Sequence, residues 1–173
     1  MNESQAIRIL IFGTGGIGGY FGARLAASGA TVTFVARGEH LKAIRAHGLR
    51  IESGRGNLLL KPAKATDDSA SAGIVDLVMI GVKLWDTKAA VDAVEPAVGR
   101  DTAVVSFQNG VDAVDALTEK FGRHRVLGGL AHIAAVIEAP GVIRHNGTMQ
   151  RLTFGELDGK RSRSDGHHCR LFL

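Results

Sequence analysis

Three features of this sequence predict an α/β fold with a doubly wound, mostly parallel sheet. Short apolar runs rich in β-branched residues recur along the chain, helical patterns of about ten residues separate them, and a glycine-rich turn joins the first run to the first helix. Parallel strands need long crossovers, and helices in those crossovers cover both faces of the sheet, so its strands are buried and read as continuous apolar segments.

The elements follow in order. Ile7 to Phe12 is a buried strand ended by Gly13. From Gly16 to Ser28 the residues Ile17, Phe21 and Leu25 recur every four positions and form one helical face, which Gly29 stops. Thr31 to Ala36 is the second strand, and Glu39 to His47 a short helix closed by Gly48. Leu49 to Leu60, interrupted by Ser53-Gly54-Arg55-Gly56, reads as a hairpin, and an Ala/Ser/Asp-rich loop runs from Lys64 to Gly73. Ile74 to Val82 is a buried strand; Asp86 to Val94 is a helix ended near Pro96; Thr102 to Phe107 is the next strand. A helix from Val111 to Phe121 closes at Gly122, and the strand Val126 to Glu138 is turned back by Pro140-Gly141. This late hairpin is expected to add edge strands. There is no repeat of fixed period, and the biased segment is the tail after Asp158, which divides the chain into a domain at 1–158 and a polar tail at 159–173.

A chain of 173 residues with almost half of them apolar buries one ordinary core. Its longest apolar stretches fall far short of the roughly twenty residues that cross a bilayer, so no membrane partner is expected. The opening Met1-Asn2-Glu3-Ser4-Gln5 has an acid and no basic region, unlike a secretory signal, and the single cysteine, Cys169, cannot form an internal disulfide. The expected location is cytoplasmic. Of the formal charge of +4, the last fourteen residues hold +3 through Lys160, Arg161, Arg163 and Arg170 against Asp165. The remaining body, close to neutral, offers no electrostatic footprint for nucleic acid.

Gly13-Thr14-Gly15-Gly16-Ile17-Gly18 matches G-x-G-x-x-G, with a buried strand before it and an amphipathic helix after it. The first glycine makes the tight turn, the second lets a pyrophosphate approach the backbone, and the third lets helix pack on strand. The phosphates would sit at the positive end of the helix dipole. This is the fingerprint of a Rossmann-type dinucleotide site. The fingerprint expects an acid at the end of the second strand to hold the adenosine ribose hydroxyls, and this sequence has Arg37 there. A guanidinium pairs with a 2′-phosphate and leaves the unphosphorylated ribose without its acceptor, so NADPH is expected over NADH. Lys83 ends a strand at the carboxyl edge of the sheet, either as a second cation for cofactor phosphate or as a solvated strand-end lysine. Asn109-Gly110 stands at another such end, where the amide can bond a carboxamide or a substrate oxygen, or simply form a turn.

Taken together, Gly13 to Tyr20, Val35-Ala36-Arg37-Gly38, Val82-Lys83, Gln108-Asn109-Gly110 and Gly128 to Gly147, with Pro140-Gly141 and His145, resemble the ketopantoate reductases, also called 2-dehydropantoate 2-reductases. The similarity covers nearly everything from Ile7 to Asp158. It implies reduction of 2-dehydropantoate by NADPH, giving pantoate on the route to pantothenate and coenzyme A. It also implies roles. The Gly13 to Gly18 loop would cradle pyrophosphate, Arg37 and Lys83 serve the 2′-phosphate side, Asn109 touch nicotinamide and substrate, and Ala134 line the nicotinamide pocket. His132, in the same strand, is read as a packed or rim residue and not as catalytic.

The family resembled continues into a second, largely helical domain that carries a general-acid lysine, and no such region is read in this sequence. No catalytic residue is therefore named. Lys160 lies in the tail without fixed geometry, and His167-His168-Cys169 does not make a closed four-ligand metal site. Family-like sequence stops abruptly near Ser162, where a lost or truncated reading frame is expected. Two functions remain open: a reductase of 2-dehydropantoate or a related 2-oxo acid, and a catalytically incomplete NADP-binding module. In either case the surface a second domain would cover is expected to be apolar and to drive homo-oligomer formation.

Overall fold

The computed structural model describes residues 6–83, 86–108 and 112–159. The chain runs β1 (Arg8–Phe12), α1 (Gly16–Ala27), β2 (Thr31–Val35), α2 (Gly38–His47), β3 (Leu49–Ser53), β4 (Leu58–Leu60), β5 (Lys64–Thr66), β6 (Val75–Ile80), α3 (Thr87–Val94), β7 (Val98–Ser106), α4 (Asp112–Phe121), β8 (Val126–Ala139) and β9 (Val142–Glu156). Short 3-10 turns lie at Ser69–Ala72, Glu95–Ala97 and Arg123–Arg125. The strands form one sheet in the order β4-β3-β9-β8-β7-β6-β1-β2-β5. Six of its eight pairings are parallel; the exceptions are the hairpins β3–β4 and β8–β9. This is the doubly wound, mostly parallel α/β architecture the sequence predicts.

Strand β1 explains why both faces are covered. Its side chains alternate, with Ile9 and Ile11 in a core shared with α1, while Leu10 and Phe12 join the α3 and α4 side chains Ala90, Val91, Val94, Leu117 and Phe121. Four consecutive apolar residues are thus buried, two on each face.

The sheet also curls. In a flat sheet with strands about 4.8 Å apart, β2 and β4 would lie about 34 Å from each other, yet α1, a cylinder about 10–12 Å across, packs against β2 at one side and β3, β4, β8 and β9 at the other. The helix is wrapped. It buries Gly18, Gly19, Tyr20, Phe21, Gly22, Ala23 and Leu25, far more than the single face marked by Ile17, Phe21 and Leu25. Glycines allow the close approach. A methyl on Gly18 would overlap the Gly13 carbonyl and one on Gly22 would reach 2.6 Å from Phe34, whereas one on Gly16 would overlap the Ala135 carbonyl and one on Gly19 would lie 2.8 Å from Ile143.

Two expectations need correction. The late hairpin β8–β9 is not at the edge: it lies between β7 and β3, and the early hairpin β3–β4 supplies one edge while β5 supplies the other. Strand β9 offers a second free rim, which β3 takes in parallel register from Arg50↔Val142 to Ser53↔His145, with the Arg50 N–H donating to the Gly141 carbonyl at 2.9 Å. The segment Lys64 to Gly73 is also not simply a loop. It begins with β5, pairing Thr33↔Lys64 to Val35↔Thr66, and continues into a 3-10 turn capped by the Asp68 carboxylate, which accepts from the Ala70 N–H at 2.9 Å. An edge strand with one solvated side needs no apolar run, so polarity hid it.

Candidate functional site

The crossover from β1 leads to β2 on one side while β6 flanks β1 on the other, so the carboxyl end of β1 is the switch point where open α/β sheets bind ligands. There Gly13 turns the chain with φ of +96°, a conformation glycine adopts at little cost, and a methyl on it would sit 2.7 Å from a Val82 methyl. The loop is stitched to the end of β2. The Val35 carbonyl accepts from the Gly13 N–H at 3.3 Å, the Thr14 N–H at 3.1 Å and the Thr14 hydroxyl at 2.8 Å. Two residues beyond Val35 comes Arg37, so this stitching fixes the spacing between the loop and the backbone that carries the arginine.

Helix α1 offers its N-terminus to the same place. The Gly19 N–H is bonded to the Gly15 carbonyl at 2.7 Å, and the N–H groups of residues 15–18, from the N-cap through the first turn, come before that first helical bond and have no helical acceptor. A methyl built on Gly15 would meet nothing within 4 Å. The loop therefore presents amides and open space together, which suits an anion at a helix N-terminus.

A cleft opens above this loop, lined by Phe12, Gly13, Thr14, Gly15, Arg37 and His40 together with Val82, Asp86 and Ile137 among others. Arg37 caps α2 in extended conformation, is exposed, and forms no salt bridge with a described residue. Gly13, Thr14, Gly15 and Arg37 are thus brought together. Ile17 packs at the margin of the core, and Gly16 and Gly18 serve the close contacts of α1. Lys83 is exposed and follows Val82 at the rim; it is not among the residues lining the cleft. Ala134 sits on an exposed position of β8, paired with Asn146 where the register shifts, beside the Ala135 carbonyl that covers Gly16. Asn109, the expected contact for nicotinamide and substrate, lies outside the described residues, as do Lys160, His167, His168 and Cys169. His132 is exposed on β8.

Two polar residues were given no role of their own by the sequence. His40 bridges the loop and the β8–β9 turn: its Nδ1 accepts from the Gly141 N–H at 3.0 Å, so its Nε2 carries the proton and donates to the Thr14 carbonyl at 2.8 Å. Gln108 is a hub at the end of β7. Its amide nitrogen donates to the carbonyls of Val82 at 2.9 Å and Lys83 at 3.0 Å, and its oxygen accepts from the hydroxyls of Thr87 at 3.0 Å and Ser106 at 3.2 Å. A polar residue after an apolar strand was the available signal for Gln108; for His40, on a short helix just after Arg37, there was none. His145, in contrast, is a buried post away from the cleft. It takes the Ser53 hydroxyl on Nδ1 at 2.8 Å, donates from Nε2 to the Met149 carbonyl at 2.9 Å, and packs 4.9 Å from the Tyr20 ring. Among the described residues no cluster of His, Cys, Asp and Glu suits a metal ion, and no helix is long and apolar enough to cross a membrane.

Comparison with known proteins agrees with this geometry. A 2-dehydropantoate 2-reductase of Mesorhizobium japonicum is 38% identical over 178 residues, spanning 90% of this chain and 54% of the relative. The crystal structure of 2-dehydropantoate 2-reductase from Geobacter metallireducens superimposes with a TM-score of 0.84 at 32% identity, covering 90% of this chain and 51% of that one. D-mandelate dehydrogenase solved with NADH and anilino(oxo)acetate, 22% identical with a TM-score of 0.75 over 86% of this chain and 47% of its own, shares the fold. The chain spans about half the length of the relatives it matches. The family described as Ketopantoate reductase PanE/ApbA matches residues 9–159, and with the glycine loop, the switch point and the nearby arginine in place, this chain belongs to that family.

Proposed function

We infer that this chain binds NADPH as part of a reductase that converts 2-dehydropantoate, or a related 2-oxo acid, to the corresponding 2-hydroxy acid. The observation that carries the reading is the joint placement of Gly13, Thr14, Gly15 and Arg37 on one cleft at the β1 switch point. The residues fit the cofactor: open space at Gly15 and the amides of residues 15–18 suit a diphosphate, and the Arg37 guanidinium suits a 2′-phosphate two residues beyond the strand end that anchors the loop. When bound, NADPH supplies the hydride for the carbonyl carbon. Ala134 on β8 and Asn109 are assigned to the nicotinamide side, with Asn109 also touching substrate, and Lys83 to the phosphate side.

The carbonyl oxygen also needs a proton donor, and none is assigned among the described residues. His40 is unsuited because both its ring nitrogens are engaged by the backbone. Binding and turnover are therefore separate questions, and because no described residue is assigned as the proton donor, the second reading is an NADP-binding module without turnover. Fluorescence titration tests the shared part of both readings. NADPH is expected to bind more tightly than NADH, and Arg37→Asp to weaken NADPH by about tenfold or more, the value of one charge-assisted phosphate contact of about 1.5–3 kcal/mol, while favouring NADH. Tighter binding of NADH by the unaltered chain would remove the role given to Arg37, and binding of neither nucleotide would overturn the reading. Loss of NADPH absorbance on adding 2-dehydropantoate then separates reductase from module.

A further inference from the structure

His40 stands between two parts of the chain that sequence keeps far apart. Its Nε2–H holds the carbonyl of Thr14, the residue between the first two glycines of the loop, and its Nδ1 holds the N–H of Gly141 at the β8–β9 turn. Thr14 is tied from its other side to Val35, so the His40 bond completes a two-sided grip on the loop. Gly141 has φ of +76°, a conformation glycine adopts at little cost, and a methyl there would press 3.1 Å from the Ala43 side chain one turn further along α2. The turn is therefore seated on α2, and the imidazole joins three elements at the wall of the cleft.

We propose that His40 is a positioning residue for the cofactor: as the neutral Nε2–H tautomer it clamps the glycine loop to the hairpin turn, and the loop takes a nucleotide only while that clamp is closed. This rests on the cofactor reading above. With both nitrogens engaged, His40 acts through the loop and not as a phosphate ligand.

The clamp has one closed protonation state. A protonated ring donates from both nitrogens, so Nδ1 loses its acceptor capacity and faces the Gly141 N–H as donor against donor. Burial holds the His40 pKa below its ordinary 6.5, partly offset by the bond to the Thr14 carbonyl. Loss of the neutral clamp therefore begins below the normal histidine range as pH falls. The charged and titratable groups around this junction are Arg37 at the N-cap of α2, Glu39 paired with Lys42, Arg45 paired with Asp67 and His47 in the last turn of α2, Asp86 in the cleft lining, and Glu138 before the turn, paired with Arg144. The glycine loop contributes no charge.

The test compares the unaltered chain with His40→Gln and His40→Asn. Neither replacement titrates; the glutamine amide can still donate to Thr14, and the asparagine carbonyl can still accept from Gly141. NADPH and NADH are titrated by fluorescence from about pH 8 to about pH 5. The 2′-phosphate of NADPH itself titrates near pH 6 but does so alike in every variant, and NADH lacks it. The unaltered chain is expected to lose several-fold more affinity for both nucleotides at the acid end than His40→Gln does. Nitrogen-15 NMR of the histidines is expected to show a neutral Nε2–H ring for His40 at neutral pH. Parallel pH profiles in chain and variants, or a His40 ring protonated at neutral pH, would overturn the proposal. Failure of every variant to bind either nucleotide at any pH would overturn the cofactor reading and this proposal with it. Should His40→Gln fail to fold, His40→Asn and the NMR of the unaltered chain still decide.

Discussion

The six glycines between residues 13 and 22 are not interchangeable, and what a methyl group would meet at each one separates their roles. At Gly15 it would meet nothing within 4 Å, in an extended conformation open to any residue, so Gly15→Ala should leave stability within about 1 kcal/mol while obstructing approach to the amides behind it. NADPH affinity is expected to fall at least about tenfold, the equivalent of about 1.4 kcal/mol. At Gly16 the methyl would overlap the Ala135 carbonyl, a backbone atom that moves only with β8. Gly16→Ala should therefore lower stability by about 1–3 kcal/mol or more, as overpacking does. Thermal melts beside nucleotide titrations check the pair, and equal melting temperatures for the two variants would contradict the division.

At the scale of elements, the cleft depends on how strand ends are held. The end of β2 is held by three donors from the loop, and the ends of β6 and β7 are joined by Gln108, which spans Val82, Lys83 and Thr87. Replacing Gln108 by Leu leaves two carbonyls and two hydroxyls without these partners, each a group whose loss costs up to about 1–3 kcal/mol when buried. A fall in melting temperature of about 3–8 °C is expected, with weaker NADPH binding because Val82 lines the cleft. An unchanged melt would show that water replaces the carboxamide fully. Helices α3 and α4 are joined at the surface by Lys120, which reaches Glu95 at 2.8 Å and Asp92 at 3.5 Å. The hydrogen bond to Glu95, more than any other influence, raises the lysine pKa, so the small stabilisation is present below the normal lysine pKa and is lost as pH rises through the raised value.

For the whole molecule, the wrapped sheet buries α1 but leaves apolar residues of its central hairpin in solvent. Leu130, Val136 and Ile137 on β8 and Met149 on β9 are each about half exposed or more. Scattered apolar side chains are ordinary; several exposed on one hairpin favour association. We therefore expect concentration-dependent self-association in light scattering, reduced when Leu130 and Val136 are both replaced by Lys. A clean monomer at high concentration would argue against it.

The sequence alone was enough for the class of fold, the order of most elements and the glycine loop with Arg37 after it, because these depend on contacts close in the chain: apolar periodicity, a strand-to-helix turn, a residue at a strand end. It misplaced the late hairpin and hid β5, because strand order depends on which free edge a distant segment meets and an edge strand need not be apolar. It assigned reasons to Gly13, Gly15 and Gly18 but none to Gly19 and Gly22, whose partners Ile143 and Phe34 are fixed only when the sheet curls around α1. The same holds for His40. A histidine one turn into a helix carries no mark of its use, and only the fold brings Thr14 to one ring nitrogen and Gly141 to the other.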